Sequence, residues 1–130
     1  MKIFEAEKTP FIDTGAKIEV LATGFTWSEG PVWVDQLNAV LFSDVPNNVI
    51  YKWSEQDSLS VYIKAAGHTG EGNKKSNAGP NGLLLDPEGD LLVCQHGDRQ
   101  IGLMSSGLAN PQNTFVSIAA KYGGKKIQQP

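Results

Sequence analysis

Few side chains in this sequence combine a reactive group with surroundings able to aim it. Glu29 lies in Glu29-Gly30-Pro31-Val32-Trp33, at the opening of an apolar run. A carboxylate at that point can enter a central channel as a hard oxygen ligand, or it can stand solvated on a loop, as most glutamates do. Asn81, in Pro80-Asn81-Gly82, also has two readings: an amide oxygen reaching the same channel, or part of a turn dipeptide that tolerates positive φ. His96, in Gln95-His96-Gly97-Asp98-Arg99, can act as a general base or simply occupy a turn. The sequence holds one other histidine, His68.

Other chemistries lack their parts. No serine stands in Gly-x-Ser-x-Gly and Cys94 has no evident partner, so nothing supports an acyl-enzyme triad. Two histidines without cysteine pairs or His-x-x-x-His spacing do not make a structural zinc site. The glycine-rich segment 66–79 matches neither a P-loop nor a Gly-x-Gly-x-x-Gly phosphate cradle and reads as a long inter-blade loop. Asp44, Asn47 and Asn48 read as turn-shaping residues. Cys94, inside Leu91-Leu92-Val93-Cys94, reads as a buried thiol.

The elements that must position these groups are strands. Short runs of Val, Ile, Leu, Phe and Tyr recur between turn residues, and no stretch keeps a 3.6-residue apolar period for three turns. The expected strands are Lys17–Ala22, Gly30–Val34, Ala39–Ser43, Asn48–Trp53, Leu59–Lys64, Gly82–Asp86, Asp90–Gln95, Gln100–Met104 and Thr114–Ala119. The turns Asp35-Gln36-Leu37-Asn38 and Asp86-Pro87-Glu88-Gly89 superimpose on a shift of 51 (86 − 35), which also brings Val34 onto Leu85, Val40-Leu41-Phe42 onto Leu91-Leu92-Val93, Asn47 onto Asp98 and Ile50 onto Ile101. A period near fifty with several strands per unit is the mark of propeller blades. The expectation is an all-β chain forming about two and a half blades, the N-terminal portion of a propeller, with a compact β-sandwich as the rival. The divisions expected are an extension and first strand over 1–23, a first blade region over 24–65, the loop over 66–79, and a second blade with the start of the next over 80–130. The C-terminal Tyr122 to Pro130 segment offers no strand to end on.

The bulk properties narrow the partner. The chain has 130 residues, 40% hydrophobic and 19% charged, with a formal net charge of −3 and both signs interspersed. That excludes a basic nucleic-acid patch and a polybasic membrane anchor, leaving a small molecule. No run of eighteen apolar residues and no signal-peptide h-region is present, so the default compartment is the cytoplasm, with the periplasm open if Met1 is not the natural start.

Four motifs in order resemble the bacterial gluconolactonase branch of the senescence-marker-protein/gluconolactonase family. They are Glu29-Gly30-Pro31-Val32-Trp33; Phe42-Ser43-Asp44-Val45-Pro46-Asn47-Asn48 through Trp53; Pro80-Asn81-Gly82-Leu83 through Asp86-Pro87-Glu88-Gly89; and Gln95-His96-Gly97-Asp98-Arg99. The similarity runs from Gly24 to the end. It implies a six-bladed propeller about twice this length that hydrolyses sugar lactones such as glucono-1,5-lactone. It also implies one divalent cation at the channel mouth, calcium first, with Zn2+, Mn2+ or Mg2+ as alternatives. Glu29 matches the family's metal-ligating glutamate, while the family's asparagine and aspartate ligands and its general base fall beyond Pro130. Asn81 and His96 are left as substrate-binding candidates. Lys126 and Gln128-Gln129 stand where the family commonly has Arg and Asn-Ser. The chain alone is therefore expected to be inactive. Two rival readings keep the scaffold: another metal-dependent propeller hydrolase, acting on phosphotriesters or other lactones, and a non-catalytic binding propeller of the NHL kind.

Overall fold

Apolar residues at every second position need two faces to bury, and they find them in a pair of four-stranded antiparallel sheets. The computed structural model of the chain describes residues 15–70 and 78–126. The first sheet comprises β1 (Ser28–Val34), β2 (Ala39–Asp44), β3 (Val49–Ser54) and β4 (Ser58–Lys64), in that spatial order. The second comprises β5 (Pro80–Leu85), β6 (Leu91–Gln95), β7 (Gln100–Met104) and β8 (Phe115–Ala119), again in order. These are the meandering blades of a β-propeller, and the all-β expectation holds. A small hairpin, β9 (Lys121–Tyr122) with β10 (Lys125–Lys126), follows.

Two expectations fail here. Lys17–Ala22 forms no strand: Ile18, Val20 and Leu21 are exposed, and no described segment lies alongside to complete a ladder. Apolar alternation prepares a segment for pairing but cannot supply the partner. At the other end β9 and β10 do form, because Gly123 and Gly124 both take positive φ (57° and 79°), the backbone of a type I′ hairpin turn. Residues 127–130, which include Gln128 and Gln129, lie outside the described residues.

The core lies between the two sheets. Val34, Leu41, Ile50 and Ile63 from the first meet Leu83, Leu91, Val93 and Met104 from the second. Leu108, from the β7–β8 connection, joins them, and the Tyr62 hydroxyl of β4 donates to the Leu108 carbonyl at 2.7 Å. Burial pushes the Tyr62 hydroxyl up to about 12, so it remains a donor at neutral pH. Cys94 is exposed, not buried, because it lies on the face of the second sheet turned away from this core.

The repeat survives in three dimensions with two adjustments. Leu41↔Lys52 in the first sheet corresponds to Leu92↔Leu103 in the second, keeping the shift of 51 for the two middle strands. The first strand runs one further: Ser28 pairs with Asp44 and Pro80 with Gln95, so 80 − 28 is 52 while 95 − 44 is 51. The β5–β6 turn is therefore one residue shorter than the β1–β2 turn, since 44 − 28 is 16 and 95 − 80 is 15. The last strand runs five further, Ile50↔Ile63 becoming Ile101↔Ala119, after the longer β7–β8 connection. Even the β-bulges recur, in β1 between Glu29 and Val32 and in β5 between Pro80 and Leu83.

Candidate functional site

Antiparallel pairing decides which residues can meet. Ser28 pairs with Asp44, Asp44 with Val49 and Val49 with Lys64, so the start of β1, the β2–β3 turn and the end of β4 share one end of the sheet. Pro80, Gln95 and Gln100 repeat this in the second sheet. Glu29, Asn81, His68 and His96 are thereby gathered at one end of the stacked blades. The turns over 35–38, 55–57, 86–90 and 105–114 lie at the other.

Glu29 and Asn81 occupy the same position in successive blades. The shift of 52 that relates β1 to β5 carries Glu29 onto Asn81 and Gly30 onto Gly82. The ungapped sequence shift had set Asn81 opposite Gly30, one place away. The two inner strands touch through backbone: a Cβ on Gly30 would lie 2.6 Å from the Asn81 carbonyl oxygen and 3.0 Å from the Gly82 Cα. Gly30 also has φ +63°, so both its space and its conformation call for glycine.

Ser43 ties the pair together. It faces Glu29 in the β1–β2 ladder, is fully buried, and donates its Oγ hydrogen to the Asn81 carbonyl at 2.7 Å. Residues opposite one another in an antiparallel ladder share a face. Glu29 is therefore on the inter-blade face of β1, half-buried beside Asn81's strand. The Asn81 side-chain oxygen is buried and has no hydrogen-bond partner among the described residues. A buried amide oxygen left without a donor costs roughly 1–3 kcal/mol, which marks a place for a missing electrophilic neighbour. The sequence reading missed Ser43; its signal was a polar residue at an inward position of β2, following Ala39 and Leu41.

Around this pair the polar residues are structural. Asp44, fully buried, accepts from the Thr26 and Trp27 amides (3.2 and 3.1 Å) and from Asn47 Nδ2 (2.8 Å), fixing the approach to β1. Asn48, in left-handed backbone at φ 56°, accepts from the Gly67 and His68 amides and donates to the His68 carbonyl. Asp98 holds the other side of the same loop through His68 Nδ1 (3.1 Å), Thr69 Oγ1 (2.7 Å) and the Thr69 amide. His96 is half-buried in the β6–β7 turn, where its carbonyl accepts from the Arg99 amide at 3.3 Å. It shares the end of the blades that holds Asn81.

The donor chemistry at the inner strands is a carboxylate and an amide oxygen. That set suits a hard, oxygen-seeking cation and not the nitrogen and sulfur ligation of structural zinc. Among the described residues no three His, Cys, Asp or Glu side chains converge as a complete metal site. The residues present thus fit part of a cation site.

Comparison with known proteins bears on the fold and the family. The family model for the SMP-30/Gluconolactonase/LRE-like region matches residues 27–118. The chain is 33% identical over 129 residues to a gluconolactonase of Zymomonas mobilis subsp. mobilis (strain ATCC 31821 / ZM4 / CP4), which covers 98% of this chain and 35% of that protein. An X-ray structure assigned by a structural-genomics consortium to gluconolactonase superimposes with a TM-score of 0.70 at 35% identity, over 88% of this chain and 34% of that one. A gluconolactonase from Xanthomonas campestris gives 0.61 at 25% identity, over 78% of this chain and 29% of that one. Virginiamycin B lyase from Staphylococcus aureus, at 14% identity and 0.50 over 75% of this chain and 28% of that one, shares the fold alone. The chain spans about a third of the length of these relatives. With most of its length inside the matched region, from the strand that carries Glu29 to the last strand of the second blade, the chain belongs to the SMP-30/gluconolactonase/LRE-like family.

Proposed function

We propose that the protein carrying these blades hydrolyses sugar lactones of the glucono-1,5-lactone type to the aldonic acid, using a divalent cation held in part by Glu29. The observation that carries this reading is the placement of Glu29 at the opening of an innermost strand, at the repeat position of Asn81, whose buried oxygen has no hydrogen-bond partner among the described residues, in a chain of this family. Calcium is the first expectation, with Mg2+, Mn2+ or Zn2+ as alternatives. When bound, the cation would act as a Lewis acid on the lactone carbonyl.

The chain's own residues hold and orient. Glu29 contributes an anionic oxygen from a half-buried position, where its charge is less screened than on an open loop. Gly30 lets the two inner strands close to backbone contact, and Ser43 fixes their relative height. His96, on the β6–β7 turn at the same end, is kept as a substrate-binding candidate. Calcium takes six to eight oxygens. Two side-chain donors do not meet that number, so the remaining ligands and the proton acceptor are assigned, on the family resemblance, to blades outside this chain.

The test is Glu29→Gln in the protein as its gene encodes it, assayed on glucono-1,5-lactone with and without EDTA. A loss in kcat/KM of about a hundredfold or more is expected, matched by EDTA on the parent. Full activity in the variant would sink the proposal. A phosphotriester hydrolysed in preference to the lactone would move the activity to a related hydrolase, and sugar binding without turnover would point to a binding propeller. The 130-residue chain by itself is expected to be inactive.

A further inference from the structure

We propose that Asn81 is itself a cation ligand, its side-chain oxygen sharing the ion with the Glu29 carboxylate, and that Ser43 is the residue that positions it. The inference rests on the cation reading above and adds a ligand and a positioning residue to it. Three observations meet on this point. The strand pairings make Asn81 the repeat equivalent of Glu29, so one blade offers a carboxylate where the next offers an amide oxygen at the same height. That oxygen is buried and has no hydrogen-bond donor among the described residues, whereas neighbouring buried polar side chains are satisfied: Asp44 by two amides and Asn47, and Gln95 by Ala66 and Gln100. Ser43 links both ligands, facing Glu29 across the ladder while its hydroxyl holds the Asn81 main chain.

A plain turn role for Asn81 does not explain this pattern. Asn81 is not among the residues of positive φ, so it does not use the left-handed backbone for which asparagine is favoured in turns. It lies inside β5, in extended structure, with its main-chain oxygen already engaged. What is left for the side chain is an electrophile other than the hydrogen-bond donors of the described residues. A hard cation bound by Glu29 is one, and amide oxygens are ordinary ligands of calcium.

The probe is Tb3+, a calcium surrogate whose luminescence reports binding directly, titrated into the protein as its gene encodes it. Glu29→Gln, Asn81→Ala, Asn81→Asp, Ser43→Ala and Ser43→Thr are compared, with circular dichroism confirming the fold of each. Asn81→Ala should weaken Tb3+ binding by about tenfold or more, and Asn81→Asp, which keeps an oxygen and adds charge, should bind as tightly as the parent or tighter. Ser43→Ala should weaken it by about tenfold while Ser43→Thr, which retains the hydroxyl, does not. If Glu29→Gln loses Tb3+ and Asn81→Ala binds like the parent, Asn81 is no ligand and the inference is overturned with the cation reading intact. If Glu29→Gln leaves binding unchanged, the cation reading itself falls. Should Asn81→Ala fail to fold, Asn81→Asp decides: retained or tighter binding supports the inference, and weaker binding overturns it.

Discussion

The two blades are copies in register, yet one has its forward face buried and the other does not. Leu41 is fully buried, while its equivalent Leu92 is half-buried; Ser43 is fully buried, while Cys94 is exposed; Val32 is half-buried, while Leu84, at the same height in β5, is 61% exposed. The residue types differ little. What differs is that the second sheet covers the first and no described residues cover the second. Burial here is a property of the neighbouring blade, not of the strand that carries the side chain. The forward face of the second blade, with Leu84, Leu92 and Leu103, has the composition of an inter-blade surface.

Glycine at the inner strands gives the sharpest way to break that comparison. Gly30→Ala would press a methyl group to within 2.6 Å of the Asn81 carbonyl and hold a left-handed φ, so it should destabilise the chain by more than about 4 kcal/mol in chemical denaturation. Gly82 is its equivalent, and a Cβ there meets just Cys94 Sγ at 3.7 Å, an ordinary contact. Gly82→Ala should therefore change stability by less than about 0.5 kcal/mol in this chain. A large loss at Gly82 in a longer gene product would mean that a third blade closes on it as the second closes on Gly30.

The leucines make the same comparison at smaller amplitude. Leu41→Ala removes a fully buried side chain from the inter-sheet core and should cost about 3 kcal/mol. Leu92→Ala, on the open face, should cost less than about 1 kcal/mol, because much of that surface already meets water. Equal losses at the two positions would refute the claim that blade contact, and not strand identity, sets the difference.

These pairs also show what the sequence could reveal. Strand positions, the turn matches and the repeat were legible because each follows from local alternation and turn chemistry within one unit. The one-residue offset that aligns Asn81 with Glu29 was not, since it comes from a β5–β6 turn one residue shorter than the β1–β2 turn, while both turns read alike in composition. Cys94 looked buried because Leu91-Leu92-Val93 is apolar throughout, and such a run does not say which of its two faces is covered. Lys17–Ala22 looked like a strand because its apolar residues alternate, and alternation does not say whether a partner strand lies alongside. Ser43 escaped notice because its role depends on Asn81, thirty-eight residues away, and only the packed blades bring them together.

The β2–β3 and β6–β7 turns extend the comparison to the loop between blades. Asn48 and Arg99 hold the same position with the same left-handed φ, 56° and 55°. Asn48 additionally makes three hydrogen bonds to Gly67 and His68. Asn48→Ala should cost about 2 kcal/mol and speed proteolysis at residues 66–70, leaving two loop amides and a carbonyl without their partner. Arg99→Gly, which relieves the backbone and removes no such bonds, should be neutral or stabilising by less than about 1 kcal/mol. Similar losses at both turns would mean that shared geometry, not Asn48's bonds, fastens the loop.

The smallest effect separates the far ends of the blades. The first sheet closes between β3 and β4 with a tight turn over 55–57, whereas the second uses the longer connection over 105–114. Those additional residues are not slack: they carry Leu108 into the core and present its carbonyl to Tyr62 of the other sheet. Tyr62→Phe leaves that carbonyl without its donor and should cost about 1 kcal/mol at pH 7. The pH dependence has a defined sign. The Tyr62 hydroxyl is held at about 12 in the fold against an ordinary 10.0, so the protonated form is the one the fold favours. Its contribution is complete below pH 10 and is lost as pH rises from 10 to 12. The gap in denaturation midpoint between parent and Tyr62→Phe should stay constant from pH 7 to 9 and narrow above 10. A gap that held its size to pH 12 would show that the phenol is not what fastens the long connection to the first blade.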